Sequence, residues 1–154
     1  MTDKSKELTT VVKLINDKLN FSGIVEGNTP ISIDYISPLG DNLGYTSLEL
    51  LLLSFATCLG SAVLVFLRKM QKSISEFEII AKGIRNEEHP TGFKSILIDI
   101  HLKSADVHEC DLEKVIALAE EKYCPVWAMI KGNVKISFIY TIKDNESVLT
   151  SLKN

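Results

Sequence analysis

Cysteine is scarce in this chain: there are three among 154 residues, Cys58, Cys110 and Cys124. Three cysteines so far apart do not make the disulfide framework of a small secreted protein, and an odd number indicates at least one free thiol. Free thiols are typical of a reducing compartment, so we predict a cytoplasmic protein. Residues 1–7 are polar and charged and lack the apolar core of a secretory signal, which favours the same prediction.

Excess charge of either sign is also missing, since 17 Lys and Arg stand against 20 Asp and Glu and the net charge is −3. That balance gives no electrostatic basis for binding nucleic acid or an anionic membrane surface. No glycine-rich phosphate loop follows a strand, and no nucleophile-elbow serine motif occurs. His89, His101 and His108 lack metal-ligand spacing, and His108 with Cys110 has no second ligand pair, so we predict no metal site.

Apolar residues make up 45% of the chain, which is enough for a hydrophobic core that needs no disulfide bonds. Period-two or β-branched segments predict strands, and longer periodic runs predict helices. We expect strands at residues 8–15, 19–26, 31–35, 74–84, 94–103 and 133–143, helices at 46–71 and 111–122, a short helix from Pro125, a turn at 85–92 and a frayed tail from Asp144.

The predicted strands and helices are segregated rather than alternating regularly, which favours an α+β fold. We predict a single domain over residues 1–154, with N-terminal strands in 1–45, a central helix in 46–71 and the other elements in 72–154. Two antiparallel β layers wrapped around the central helix would explain why that helix has no polar face.

The central helix has a clear start and an ambiguous environment. Thr46 can cap it, and Glu49 stands three residues later, the spacing of a capping box. Residues 48–67 carry one charge and are about as long as a bilayer is thick, and Arg68 and Lys69 follow like a stop-transfer flank. A membrane span is therefore one interpretation. Small and polar residues within the run, and strands on both sides of it, favour the centre of a soluble core instead.

Cys58 belongs to a stripe of small, weakly polar residues on that helix. Ser54, Thr57, Cys58 and Ser61 recur at i, i+3, i+4 and i+7 and therefore share one face. The stripe is compatible with close helix packing, in which Cys58 acts as a small hydrophobe. The alternative is a thiol that faces a small pocket.

Cys124 stands directly before a proline. Proline is favoured at the first position of a helix, so Pro125 makes Cys124 a candidate N-cap. Free N–H groups and the helix dipole would lower the pKa of its thiol. The alternative is a buried cysteine at a helix break. Cys110, between two carboxylates at positions 109 and 111, is predicted to be an unreactive loop cysteine.

Two segments, residues 46–58 (TSLELLLLSFATC) and residues 121–126 (EKYCPV), resemble the OsmC/Ohr family of thiol peroxidases. The order of strands and helices is similar along nearly the whole chain, and the separation of 66 residues between Cys58 and Cys124 fits. The resemblance implies an α+β fold and an intertwined homodimer. In that dimer the central helix is buried between sheets of both chains, and the site lies at the interface.

The resemblance also implies a mechanism. Cys58, as thiolate, attacks the distal oxygen of a hydroperoxide and becomes a sulfenic acid. Cys124 then condenses with it to a disulfide, and an external dithiol, a lipoyl protein or a small thiol, restores both. No metal or organic cofactor is required. The apolar helix favours organic hydroperoxides as substrates.

The chain departs from the family at the residues that activate the attacking cysteine. The best-known peroxidases use an N-terminal arginine, but no arginine precedes Arg68 here, so Lys13 and Lys18 are the candidate cations. Their glutamate, ten residues before the cysteine, corresponds to Leu48, and Glu49 is the nearest carboxylate. These departures leave a second hypothesis open: an OsmC-like redox or small-molecule-binding protein without efficient peroxidase activity.

Overall fold

The computed structural model describes residues 7–144 and the backbone of residues 148–153. It mixes helices with two sheets, which confirms the predicted α+β class. Within these residues the elements are β1 (Thr10–Leu14), β2 (Phe21–Val25), β3 (Ile31–Ile33), α1 (Ser47–Lys69), β4 (Glu76–Arg85), β5 (Phe93–Lys103), α2 (Glu109–Leu118), a π-helical turn (Ala119–Tyr123), α3 (Pro125–Ile130), β6 (Lys135–Lys143) and β7 (Val148–Lys153).

The chain divides into two compact units, Met1–Leu50 and Leu51–Asn154. The single domain over 1–154 stays a prediction. In the N-terminal unit, β1, β2 and β3 form an antiparallel sheet in that order, with Lys13 opposite Ser22 and Gly23 opposite Ile31. All five residues of β1 are exposed. A three-stranded sheet of this length therefore leaves many apolar side chains uncovered.

A buried carboxylate organises the loop that follows β3. Asp34 is 1% exposed and accepts hydrogen bonds from the backbone N–H groups of Tyr35, Asp41 and Leu43. These N–H groups, that of Leu43 above all, hold the pKa of Asp34 below its ordinary value, although burial acts in the opposite direction. Gly40 is required beside it, because a Cβ there would lie 2.1 Å from Asp34 Oδ1.

The C-terminal unit contains a four-stranded sheet in the order β4-β5-β6-β7. The expectation of purely antiparallel layers is wrong for one pair, because β5 and β6 run parallel. Between them the chain passes through α2, the π-helical turn and α3. A crossover of that length returns the chain to the same end of the sheet, as parallel pairing requires.

The C-terminal tail was expected to fray, and this is also wrong for part of it. Residues 148–153 form β7, which pairs antiparallel with β6 from Val148 opposite Lys143 to Lys153 opposite Phe138. Backbone pairing with β6 stabilises residues 148–153 as a strand. Residues 145–147 and 154 lie outside the described residues.

The core of this unit lies between one face of the sheet and α1. The even-numbered residues of β5, from Ile96 to Leu102, are buried, as the period-two pattern predicts. Gly60 lets α1 approach β4 closely, since a Cβ there would lie 3.0 Å from Ile79 Cδ1. By length and composition α1 could cross a bilayer, but the core helix of a soluble protein passes the same test. The buried residues of α1 between Phe55 and Leu67 pack in the core of the C-terminal unit.

Candidate functional site

Two sulfur atoms that are far apart in the sequence lie together in the C-terminal unit. Cys58 stands in the middle of α1, and Cys124 stands between the π-helical turn and α3. Their Sγ atoms are 2.9 Å apart, and the thiol of Cys124 donates to the sulfur of Cys58. Both are free thiols; Cys58 is half-buried, whereas Cys124 is 2% exposed. The fold therefore brings together the pair that the sequence singled out.

The environment of Cys58 favours the interpretation in which the stripe of small residues around it is accessible rather than closely packed against another helix. Ser54 and Thr57 are exposed, and Ser61 is half-buried. Cys58 meets another thiol rather than serving only as a small apolar side chain. The half-buried sulfur is accessible to a small molecule, whereas its neighbour is covered.

Cys124 caps α3, as Pro125 indicated. Pro125 occupies the first turn of α3, and the N–H of Trp127 donates to Cys124 Sγ at 3.4 Å. On the other side, the N–H of Cys124 bonds to the carbonyl of Ala119 at 2.9 Å. Hydrogen bonds to both neighbouring elements therefore orient this residue.

The cap lowers the pKa of the Cys124 thiol as expected, but the net shift is upward, so the expected lowered pKa is wrong. Burial raises the pKa of Cys124 above its ordinary value, and its hydrogen bond to Cys58 raises it further. The N–H groups of Trp127 and Val126 act in the opposite direction but are outweighed. Because α3 has only six residues, its dipole offsets only part of the cost of desolvating a thiolate at Cys124. Cys124 consequently keeps its proton and directs it at Cys58.

Two aromatic contacts hold the Cys124 segment against α1. The rings of Phe55 and Trp127 meet edge to face with centroids 5.7 Å apart, and those of Phe66 and Tyr123 lie 4.5 Å apart. Phe55 precedes Cys58 on α1 and Phe66 follows it, so the contacts flank the sulfur pair. The segment from Tyr123 to Trp127 is thereby fixed at both of its ends.

Glu49, a predicted supporting residue, is engaged in the cap of α1. Its Oε2 accepts the N–H of Thr46 at 2.7 Å and the hydroxyl of Thr46 at 2.8 Å. The Glu49 N–H in turn lies 3.4 Å from that hydroxyl, which completes the expected capping box. The bond from the Thr46 N–H, followed by that from its hydroxyl, lowers the pKa of the Glu49 carboxyl.

The two candidate lysines lie in the N-terminal unit. Lys13 is on β1, opposite Ser22. Lys18 forms a hydrogen-bonded ion pair with Asp41, and this bond raises the pKa of the Lys18 ammonium. The action of either lysine on Cys58 stays a prediction.

The family model described as OsmC-like protein matches residues 40–138, well over half of the chain. The chain belongs to the OsmC-like protein family. Protein YhfA of Escherichia coli K12 is 25% identical over 95 residues, which make up 62% of this chain and 71% of YhfA. An OsmC-like crystal structure from Legionella pneumophila, named as an organic hydroperoxide resistance protein, superimposes with a TM-score of 0.64 at 20% identity. It covers 91% of this chain and 99% of that one, and at this identity it shows the fold.

A protein of Aquifex aeolicus VF5 has a structure still more similar to this OsmC-like chain. Its TM-score is 0.79 at 27% identity, over 92% of this chain and 100% of the Aquifex chain. The similarity thus extends well beyond the segment that the family model matches.

Cys110 of this OsmC-like chain was expected in a loop, and it lies instead in the first turn of α2, where it is exposed. The helix begins at Glu109 because the N–H of His108 bonds to Asp111 Oδ2 at 3.0 Å, a cap that the sequence analysis missed. Among residues 7–144, no cluster of three or more His, Cys, Asp and Glu side chains is arranged to hold a metal ion.

Sequence reasoning also missed the π-helical turn and the aromatic contacts around Cys124. The helix predicted over 111–122 is two elements, because α2 gives way at Ala119 to the wider turn. Pro125 was the available signal, since it forbids the helix from continuing. The ring contacts left no signal of their own, because Phe66 and Tyr123 are 57 residues apart.

Proposed function

We propose that this protein is a cysteine-based reductase of organic hydroperoxides in which Cys58 attacks the substrate and Cys124 resolves the product. The observation that carries this proposal is the 2.9 Å separation of the two sulfurs, with Cys124 donating to Cys58. The contact places the resolving sulfur beside the sulfur that the peroxide would oxidise. Cys58 is also the more accessible sulfur of the pair.

The chemistry needs no electron carrier beyond thiols. The Cys58 thiolate attacks the distal oxygen of ROOH, the O–O bond breaks, and the alkoxide takes a proton and leaves as ROH. The sulfenic acid at Cys58 then reacts with the Cys124 thiol, so that an S–S bond forms and water leaves. A disulfide requires sulfurs about 2.05 Å apart, so the pair must close by less than about 1 Å.

An external dithiol completes the cycle. It reduces the disulfide by exchange and is itself oxidised to a disulfide, as a lipoyl group or a small dithiol can be. The name of the Legionella relative, an organic hydroperoxide resistance protein, supports the choice of substrate class. The free thiols and the balanced charge support a cytoplasmic protein that binds neither nucleic acid nor a membrane.

A homodimer is part of the same proposal. The N-terminal unit exposes large apolar side chains that a second copy would cover: Leu8, Val11, Val12, Leu14, Ile15, Leu19, Ile31, Ile36, Leu39, Leu43 and Tyr45. So many exposed apolar residues are unusual on a monomeric surface and typical of an interface. Leu53 on α1 is exposed as well, and a partner that packs on it would reach the helix that carries Cys58.

The test is the loss of free thiols after one equivalent of cumene hydroperoxide. The parent protein should lose two thiols, and Cys110→Ser, the matched control at an exposed cysteine, should do the same. Cys124→Ser should stop at a sulfenic acid that dimedone traps, and excess peroxide should drive it to the sulfinic acid. Full turnover by Cys58→Ser would refute the mechanism.

A second candidate function is a redox or small-molecule-binding OsmC-like protein without efficient turnover. The observation in its favour is that the Glu49 carboxylate is already bonded to Thr46, while Leu48 replaces the expected glutamate. This candidate gains support if several hydroperoxides leave the thiols intact while diamide still forms the Cys58–Cys124 disulfide. Recovery of the protein as a soluble dimer would exclude the membrane-span interpretation of residues 48–67.

A further inference from the structure

The chain reaches Cys124 through a turn that contains one residue more than an α-helical turn. The Cys124 N–H bonds to the carbonyl of Ala119, five residues back, rather than to that of Glu120, four residues back. Such π-helical turns are rare, and they are found frequently at functional sites. Here the turn adjoins the buried member of the thiol pair.

Both ends of this turn are fixed. Ala119 is fully buried at the end of α2. At the other end, Pro125 has no N–H, and in a continuing α-helix its ring would clash with the carbonyl of Glu121. The ring of Tyr123 packs on Phe66, and that of Trp127 packs on Phe55. The turn therefore bridges two anchored points.

The extra residue determines where Cys124 points. If the turn contracted to an α-helical turn, every following residue would change register by one position. One position rotates a side chain by about 100° around the helix axis and moves its Cα by about 3.8 Å. A movement of that size exceeds the present 2.9 Å between the sulfurs and would turn the Cys124 thiol away from Cys58.

We propose that the π-helical turn Ala119–Tyr123 is a positioning element that aims the Cys124 thiol at Cys58 and so sets the rate of disulfide formation. The turn does not act on the attack of Cys58 on peroxide. This inference rests on the proposed function for its biological meaning. The geometric claim, that the turn brings the two sulfurs together, has a test that needs no peroxide.

The test compares insertion of one alanine after Glu121, which adds a residue to a turn whose two ends are fixed, with Glu121→Ala, which keeps the residue count. Glu121 is exposed, so the control removes little packing. Each protein is equilibrated with mixtures of reduced and oxidised glutathione, which measures the effective concentration of one thiol for the other. The insertion should lower it about tenfold or more, because it moves Cys124 out of register with Ala119 and small misplacements of reacting atoms have large effects. Glu121→Ala should match the parent.

Peroxide then separates the two steps. In the insertion variant, Cys58 should be oxidised at the parental rate, but dimedone should now trap its sulfenic acid. If the turn only stabilised the fold, the variant would have a lower Tm, but oxidation of Cys58 and formation of the disulfide would not be affected differently. If the parent does not react with hydroperoxides, the proposed function fails, and the glutathione equilibrium still decides the role of the turn.

A parental effective concentration in the folded insertion variant would overturn the inference. If that variant does not fold, Pro125→Ala replaces it, since alanine lets the helix continue and relieves the need for the wider turn. Its effective concentration should also fall, and an unchanged value would equally overturn the inference.

Discussion

Cys124 directs its thiol proton at the sulfur of Cys58, 2.9 Å away on α1. The two thiols lie in different environments. The buried member keeps its proton and the half-buried member receives the hydrogen bond, although helix geometry alone favours the opposite assignment. Burial has the larger effect because desolvation acts on the whole thiolate charge, whereas a six-residue helix supplies two N–H groups.

Alkaline pH should destabilise the protein through Cys124. Its folded pKa is raised above the ordinary value of 9.0, so the thiol contributes stability in full below pH 9.0. As the pH rises further, the unfolded chain ionises while the folded one does not, and this stability is lost. Thermal unfolding between pH 8 and pH 11 measures the loss. The fall in Tm should be smaller in Cys124→Ala, and an identical fall in both proteins would contradict the assignment.

Alkylation provides a second readout of the same assignment. With iodoacetamide at neutral pH, mass spectrometry should find Cys58 and the exposed Cys110 modified first. Cys124 should react only at strongly alkaline pH or on unfolding, because it is both covered and protonated. Early modification of Cys124 would show that the segment opens readily.

Trp127 should be a major determinant of stability in the C-terminal unit. It is 4% exposed and contacts the rings of Phe55 and Phe138, the latter with centroids 5.2 Å apart. Trp127→Ala should lower the free energy of unfolding by about 3–5 kcal/mol. Met129, on the same helix but 76% exposed, gives the control, and Met129→Ala should change it by less than about 0.5 kcal/mol. Urea denaturation measures both.

The capping role of Glu49 can be separated experimentally from a role of its negative charge in the reaction. Glutamine serves in a capping box as glutamate does, so Glu49→Gln should unfold near the parental Tm, whereas Thr46→Ala should lose about 1 kcal/mol. Rates of thiol loss with cumene hydroperoxide complete the test. A parental rate in Glu49→Gln agrees with a capping role, and a tenfold slower reaction at unchanged Tm would assign the carboxylate to the chemistry.

Asp34 should make the N-terminal unit sensitive to acid. Its folded pKa lies below the ordinary value of 3.8, so its contribution to stability is present above pH 3.8 and is lost as the pH falls through the folded pKa. Asp34→Asn should remove that dependence and speed hydrogen exchange at the amides of Tyr35, Asp41 and Leu43, which donate to the carboxylate. Unchanged exchange at all three amides would contradict the anchoring role.

Local features of the structure could be predicted from the sequence because they depend on residues that are close together in the chain. The alternation from Ile96 to Leu102 predicts a strand with one buried face, and that strand is β5. Thr46 and Glu49 predict the start of α1, and Pro125 predicts that Cys124 caps a helix. Each depends on side chains within four residues of one another. The family resemblance added the pairing of Cys58 with Cys124, which spacing alone left open.

Tertiary structure decided what depends on residues far apart in the chain. The chain crosses over through α2 and α3 between β5 and β6, and β6 is therefore parallel to β5. Residues 148–153 form a strand because they pair with β6. The proton rests on Cys124 because packing buries that sulfur beside Cys58, and desolvation has no signature in the neighbouring sequence. The sequence by itself determined most of the helices and strands, and with the family resemblance it singled out two of the three thiols. Only the fold raised the pKa of Cys124, because the cost of a buried charge is set by every group packed around it.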